Sequence, residues 1–322
     1  MPSTSYRLAS YAGGSAGPRA GIVIEDRIID VERALASLDT LTAVGRGATV
    51  LEVLAQWDEM HPRLRQVAQA SRRSANSFES LALEGVRLCA PVLYPGTIFC
   101  AGANYRDHVA EMSRAMNLPE EPDPHSLGLK PWHFIKPSVA CVRGPGDRIA
   151  LPAYSKKVDW EAEIAVVMGR ACRNASVETA LSHVAGLSIV NDLSARDHLR
   201  RAGVAPDSPF HFDWVSQKSF DGALPFGPWI VPLEDVGDPS HLGIRLSVNG
   251  EVMQDSSSSN LIFSMAEQIA HLSSRLTLHP GDVIATGTPA GCGAARGRFL
   301  EPGDRVSIWV ENIGTLTNEF TR

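Results

Sequence analysis

The chain has 322 residues, a formal net charge of −6, 44% hydrophobic residues and 20% charged residues. This balance suits a globular protein with a substantial core and argues against a disordered chain. It offers no global basic field to gather nucleic acid or coat an anionic membrane, and no apolar run approaches the roughly 20 residues a membrane helix needs.

The opening stretch "MPSTSYRLASYAGG" lacks the charged and long apolar regions of a signal peptide. Cys89, Cys100, Cys141, Cys172 and Cys292 are scattered, with no CxxC spacing. Reduced thiols in a cytoplasmic protein are therefore expected, and a cysteine zinc site is not. Residues 1–90 read as a small N-terminal α/β accessory unit. Within it, "AGIVIEDRIIDV" is strand, tight turn at Glu25-Asp26-Arg27, then strand. Residues 48–57 have helical apolar spacing and 61–72 have it more weakly, while "SRRSANS" (71–77) predicts an exposed loop. The two prolines of "LCAPVLYPG" (88–96) mark a boundary.

Residues 91–322 form the second unit, where short apolar runs alternate with Gly/Pro turns. Pro-Gly-Asp recurs before a strand at 144–152, 279–287 and 301–311, and Pro-Gly suits the centre of a type II turn. Asn249-Gly250 predicts a type I′ hairpin turn, and "VENIGTLTNEF" (310–320) another reversal. Helices are expected after Asn104, around 176–184 and around 260–275. The fold class is α+β, mostly β. A dinucleotide fold is disfavoured, because no G-x-G-x-x-G follows a strand. Two long polar or proline-rich stretches, 113–131 and 200–214, have the character of functional covers or disordered segments.

In "VDWEAEIAVVMG" (158–169), Glu161 and Glu163 sit inside an apolar strand. Strand alternation puts both on one face, about 7 Å apart along the chain. Like charges that close raise each other's pKa unless something positive lies between them. A divalent cation, a nearby Arg or Lys, or a solvent-exposed face each answers the question. In "GLSIVNDLSARDHLRR" (186–201) a buried strand ends at Asn191-Asp192. Asp192 reads either as the N-cap of a following helix or as a third carboxylate at a strand end. Three carboxylates suit Mg²⁺, Mn²⁺ or Ca²⁺. His108 and Glu111, in "FCAGANYRDHVAEMSR", share a helix face; such a pair can deprotonate a water or be a routine surface contact. Lys218 is a surface lysine or a fixed cation for a developing enolate. The Gly-rich turn "VIATGTPAGCG" (283–293), with Thr286 and Thr288, can present N–H groups and hydroxyls to an anion.

In this order, "GANYRDHVAEM", "DWEAEIAVVMG", "VNDLSARD", "QKSFDGALPFGPWI", "LSVNGEVMQDSSSSNLIF" and "VIATGTPAGCG" resemble the fumarylacetoacetate hydrolase family. The resemblance spans roughly 99–293. It implies mixed β-sheets rolled into a sandwich-like body, a homodimer, and Mg²⁺ or Mn²⁺ held by positions matching Glu161, Glu163 and Asp192. It implies a water-activating pair, His108 and Glu111, on a mobile lid, with Lys218 serving both catalysis and substrate binding. Tyr105, Arg196 and Thr288 are the further substrate-binding positions. Family members often carry glutamine seven residues after the metal-binding aspartate, where this chain has Leu199. The activity implied is hydrolysis of a C–C bond in a 2,4-dioxo, acylpyruvate-like acid, in catabolism of aromatic compounds or sugar acids. The alternatives are a lyase (2-oxo diacid decarboxylase or hydratase), an isomerase, and a non-catalytic metabolite-binding homologue.

Overall fold

A computed structural model describes residues 5–13, 17–38, 48–74, 77–115, 117, 119 and 122–322. Its longest sheet follows one path through ten strands. In spatial order these are Ser80–Ala82, Arg27–Asp30, Pro18–Ile24, Arg7–Ala12, Leu224–Pro232, Val184–Asn191, Ala162–Met168, Val283–Ala285, Ile98–Ala101 and His133–Lys136. A five-stranded sheet runs in the order Glu251–Ser257, Gly243–Val248, Arg305–Val310, Gly314–Thr321, Arg148–Ala150. The second sheet packs on the first through contacts of Gly243–Val248 with Ala162–Met168 and of Gly314–Thr321 with Leu224–Pro232. The fold is mostly β with several helices, in mixed sheets.

The turn chemistry explains much of this layout. Gly146, Gly281 and Gly303, the glycines of the three Pro-Gly-Asp turns, all have positive φ, as the third residue of a type II turn requires. Asn249 and Gly250 are both left-handed and close the hairpin that pairs Val248 with Glu251.

The N-terminal strands are continuous with the main sheet. Arg7–Ala12 pairs with Pro18–Ile24 along its length and with Leu224–Pro232 at Leu8↔Ile230. Buried side chains from both sides of residue 90, among them Leu35, Trp57, Leu64, Val166 and Ile230, belong to one hydrophobic cluster.

Helix lengths depart from the periodicity in places. Val50–Ala55 is a short helix with a capping box from Thr49 and Glu52. The weakly signalled helix is the long one, Trp57–Arg73. It corrects the loop expected at 71–77: Ser71 is buried against the core, and the helix ends only at Ser74; residues 75–76 lie outside the described residues. The helix expected from residue 260 begins at Met265, where Ser264 and Glu267 form a capping box. No α-helix directly follows Asp192. Ser194–Ala195 is a two-residue strand and Arg196–His198 a single 3₁₀ turn, because Ser194 and Ala195 pair with Val158–Asp159. Among the described residues, no helix is long and apolar enough to cross a membrane. All five cysteines are unbridged.

Candidate active site

Sheet register assembles the acidic cluster. Ala162 pairs with Asn191 and Glu163 with Val190, so the start of one strand lies beside the end of its neighbour. Two hydrogen bonds extend the pairing: the Asp192 N–H donates to the Glu161 carbonyl at 2.9 Å, and the Glu161 N–H to Asn191 Oδ1 at 3.0 Å. Glu161, Glu163 and Asp192 thereby meet, each offering one carboxylate oxygen, with these oxygens within 4.8 Å of one another. They are 5%, 1% and 1% exposed. The solvent-exposed strand face is excluded, and Asp192 is not a helix cap.

Three cations answer the buried charge. Lys218 Nζ lies 2.7 Å from both Glu161 Oε2 and Asp192 Oδ2. Lys136 pairs with Asp192 Oδ1. Arg196 spans Glu161 Oε1 at 2.5 Å and Asp159 Oδ2 at 2.9 Å. Lys136, Arg196 and Lys218 thus match Asp159, Glu161 and Asp192 one for one. Glu163 is the fourth carboxyl, and its hydrogen bond comes from the Gly287 N–H at 2.7 Å.

The pKa directions of Glu161, Lys218 and Glu163 agree with that tally, whereas burial raises Asp159 against the pull of Arg196. Burial alone would raise Glu161, but Lys218 and Arg196 hold it below the usual carboxylate range. Burial would depress Lys218, but Asp192 and Glu161 more than offset it and its pKa rises. For Glu163, burial and then the charges of Asp192 and Glu161 push the pKa well up. Glu163 carrying a proton leaves three anions and three cations. A divalent cation replacing that proton would be met by three buried carboxylates, a hard all-oxygen donor set that fits Mg²⁺ or Mn²⁺.

The Gly-rich turn after Val283–Ala285 does present its backbone N–H groups to acidic side chains, and these are the protein's own. Gly287 N–H reaches Glu163, Gly291 N–H reaches Glu111 Oε2 at 2.7 Å, and Gly293 and Ala294 N–H reach Asp159 at 2.6 and 3.0 Å. Thr288 Oγ1 accepts from the Gln254 side chain at 2.9 Å.

The helix Arg106–Ala115 carries His108 and Glu111 one turn apart. It is tied down by Asp107, which accepts from Ser256 Oγ at 2.6 Å, and by Glu111 on Gly291. His108 Nδ1 faces the Cys292 sulfur at 3.9 Å, so the two side chains engage different groups. Burial, with help from Arg196 and Lys218 against Glu161 and Asp107, pushes His108 down to about 4. At neutral pH its ring is uncharged and able to accept a proton.

Two cavities meet at this helix. An inner one of about 140 Å³ is lined by His108, Glu161, Glu163, Arg196, Lys218 and Thr288, among others. An outer one of about 660 Å³ has Val109, Met112, Leu129, Ile262 and Phe263 on its walls, with Arg106 and Lys130. They share Gly102, Ala103, His108 and Trp132. Gly102 is required there: a Cβ would fall 1.9 Å from the Trp132 ring. Tyr105 is fully buried and lines neither cavity, and no group hydrogen-bonds its hydroxyl.

The family model described as "Fumarylacetoacetate (FAA) hydrolase C-terminal" matches residues 97–321. The chain belongs to the fumarylacetoacetate hydrolase family. It is 35% identical over 307 residues to the oxaloacetate tautomerase YisK of Bacillus subtilis, covering 93% of this chain and 95% of that one. Among solved structures, the fumarylacetoacetate hydrolase from Exiguobacterium antarcticum matches with a TM-score of 0.75 at 31% identity, covering 98% of this chain and 99% of that one. Maleylpyruvate hydrolase from Sphingobium sp. SYK-6, in complex with manganese(II) and pyruvate, matches with a TM-score of 0.71 at 26% identity, covering 98% of each chain. A family relative thus carries Mn²⁺, and this chain's buried triad can bind a divalent metal.

Sequence reasoning missed several residues that shape this fumarylacetoacetate hydrolase-like site. Asp159 was legible: it continues the alternation of Glu161 and Glu163 onto the same strand face. Lys136, a lone charge closing the strand "HFIK", is buried at the centre of the cluster. Gln254 ties the site together, accepting from Ala162 N–H and donating to Thr288 and to the Pro289 carbonyl, and nothing local marks it. Trp132, Phe134 and Trp214 form an aromatic wall, with Phe134 and Trp214 stacked at 5.5 Å and Lys218 Nζ 5.0 Å from the Phe134 ring centre.

Proposed function

We propose that this chain is a divalent-metal-dependent hydrolase that cleaves a C–C bond in an acylpyruvate-like 2,4-dioxo acid. The observation that carries the reading is the pair of cavities joined at His108. The charged inner chamber suits a 2-oxo carboxylate. The outer chamber, within the range of small-molecule sites, has room for an acyl group beyond the bond to be cleaved. Glu161, Glu163 and Asp192 would hold Mg²⁺ or Mn²⁺, which when bound polarises the oxo acid's oxygens and offsets its charge.

The chain's own groups supply the rest. Neutral His108 takes a proton from water where the chambers meet, and Glu111 fixes its helix through Gly291. Arg196, Lys218 and Thr288 orient the acid, and Lys218 stabilises the enolate left by cleavage. Aromatic or sugar-acid catabolism is the setting we propose, in the cytoplasm, where five unbridged cysteines are at home. We also propose a homodimer. Ile135, Val139, Phe210, Phe212 and Val215 are exposed, and the Phe134–Trp214 stack brings their two segments together. Residues 1–90 then serve as an accessory unit; among the described residues, none of them lines either cavity.

Keto–enol isomerisation is the second reading. His108 and Glu111 engage different partners, and isomerisation needs proton transfer without an attacking water. YisK, alike over nearly the whole length, is named for that chemistry. A panel decides: pyruvate release from acylpyruvates, enol–keto conversion of oxaloacetate, and CO₂ release from oxaloacetate, each with Mn²⁺ and with EDTA. Metal-dependent pyruvate release supports the hydrolase. Only enol–keto conversion favours the isomerase, CO₂ a decarboxylase, and no turnover the non-catalytic homologue.

A further inference from the structure

The short helix Trp214–Lys218 sets Gln217 beside Lys218. Trp214, Gln217 and Lys218 all line the inner cavity, together with Glu161, Glu163, His108 and Leu199. Gln217 is 2% exposed, and its amide oxygen is buried with no hydrogen-bond partner in the protein. An acceptor left so costs stability in the free chain, so the position calls for a donor from a ligand.

The cations that line the chamber pair with the carboxylates: Lys218 with Glu161 and Asp192, and Arg196 with Glu161 and Asp159. A plain 2-oxo acid cannot satisfy Gln217 either, because its carboxylate and oxo oxygens only accept hydrogen bonds. The missing group is an O–H. We propose that Gln217 is a specificity-determining residue that accepts a hydrogen bond from a substrate hydroxyl. The substrate class narrows to 2-oxo acids that carry a hydroxyl, as a chain substituent or as the enol. Leu199, which also lines the chamber, is apolar and offers no competing polar contact. This inference rests on the reading of the site as a 2-oxo acid site.

The test is calorimetric binding to the full chain loaded with Mn²⁺. The probes are two pairs that differ by hydroxyl against methyl: 3-hydroxypyruvate with 2-oxobutanoate, and 4-hydroxy-2-oxobutanoate with 2-oxopentanoate. The wild type should prefer the hydroxyl member of at least one pair by about tenfold, the scale of one hydrogen bond that also relieves a buried acceptor. Gln217→Met, which keeps the volume, should reduce that preference to less than about twofold. It should also melt no lower than the wild type, because it removes an unpaired buried amide. Equal affinities within both pairs, a preference that survives in Gln217→Met, or a variant that is destabilised or fails to fold would overturn the assignment. Binding of none of the four acids would instead contradict the 2-oxo acid reading itself.

Discussion

Replacing Lys218 by methionine tests how far the buried carboxylates depend on its ammonium. Lys218 Nζ lies 2.7 Å from both Glu161 and Asp192, and all three side chains are buried. Without it, Arg196 still pairs with Glu161 and Lys136 with Asp192, but the metal-free chain must keep one buried carboxylate in excess of its cations or protonate one. Protonation is the less costly route and limits the loss. A glutamate of ordinary pKa ~4.3 takes up a proton at pH 7 at a cost of about 1.4 × 2.7, or roughly 4 kcal/mol, and at pH 5 at about 1 kcal/mol. In the wild type the folded-state pKa of Glu161 lies below its unfolded value. That contribution is fully present at both pH values and is lost only as pH falls through the folded pKa. The variant's deficit should therefore grow by about 3 kcal/mol between pH 5 and pH 7, measured by urea denaturation of EDTA-treated protein. Saturating Mn²⁺ should recover much of the loss at pH 7. A deficit that changes by less than about 1 kcal/mol between these pH values would refute the charge tally.

Four further outcomes follow from the same geometry. Glu163, its pKa raised by burial and by Asp192 and Glu161, should release about one proton when Mn²⁺ binds. Metal affinity then rises with pH, and calorimetry of the wild type in buffers of different ionisation enthalpy should show the release; a binding heat independent of the buffer would contradict it. His108→Asn should keep Mn²⁺ affinity and lower kcat by about 10²–10⁴-fold, the usual contribution of a general base; unchanged turnover removes His108 from that role. In Mn²⁺-saturated wild type, activity should be lost as pH falls toward the His108 value of about 4, below the ordinary ~6.5. Gly102→Ala forces the Trp132 ring to move, since the new Cβ would lie 1.9 Å from it. It should raise KM for long acylpyruvates more than for short ones; equal KM changes would deny Trp132 a place between the chambers.

The metal triad was legible because strand alternation and a strand end are local signals. Two glutamates spaced by two and an aspartate closing an apolar run needed only the pairing of Ala162 with Asn191 to meet. The turns were equally legible, since Pro-Gly and Asn-Gly carry their backbone preferences with them. Burial of the acids was not readable from the strand alone. It depends on Lys136, Arg196 and Lys218, which arrive from three distant segments. The helix through Ser71 was masked by polar residues on its exposed face, and the expected helix after Asp192 gave way to strand pairing with Val158–Asp159. Gln217 and Gln254 carry no local pattern, and only tertiary packing shows that one is fully hydrogen-bonded and the other is not.

The central claim is that Glu161, Glu163 and Asp192 hold the divalent ion on which 2-oxo acid chemistry depends. Anomalous diffraction from crystals grown with Mn²⁺ tests it most directly. The account predicts a single strong peak within about 2.5 Å of an oxygen from each of the three carboxylates, lost in Glu163→Gln at the same Mn²⁺ concentration. A wild-type map with no peak there, with Lys218 still bridging Glu161 and Asp192, would contradict it.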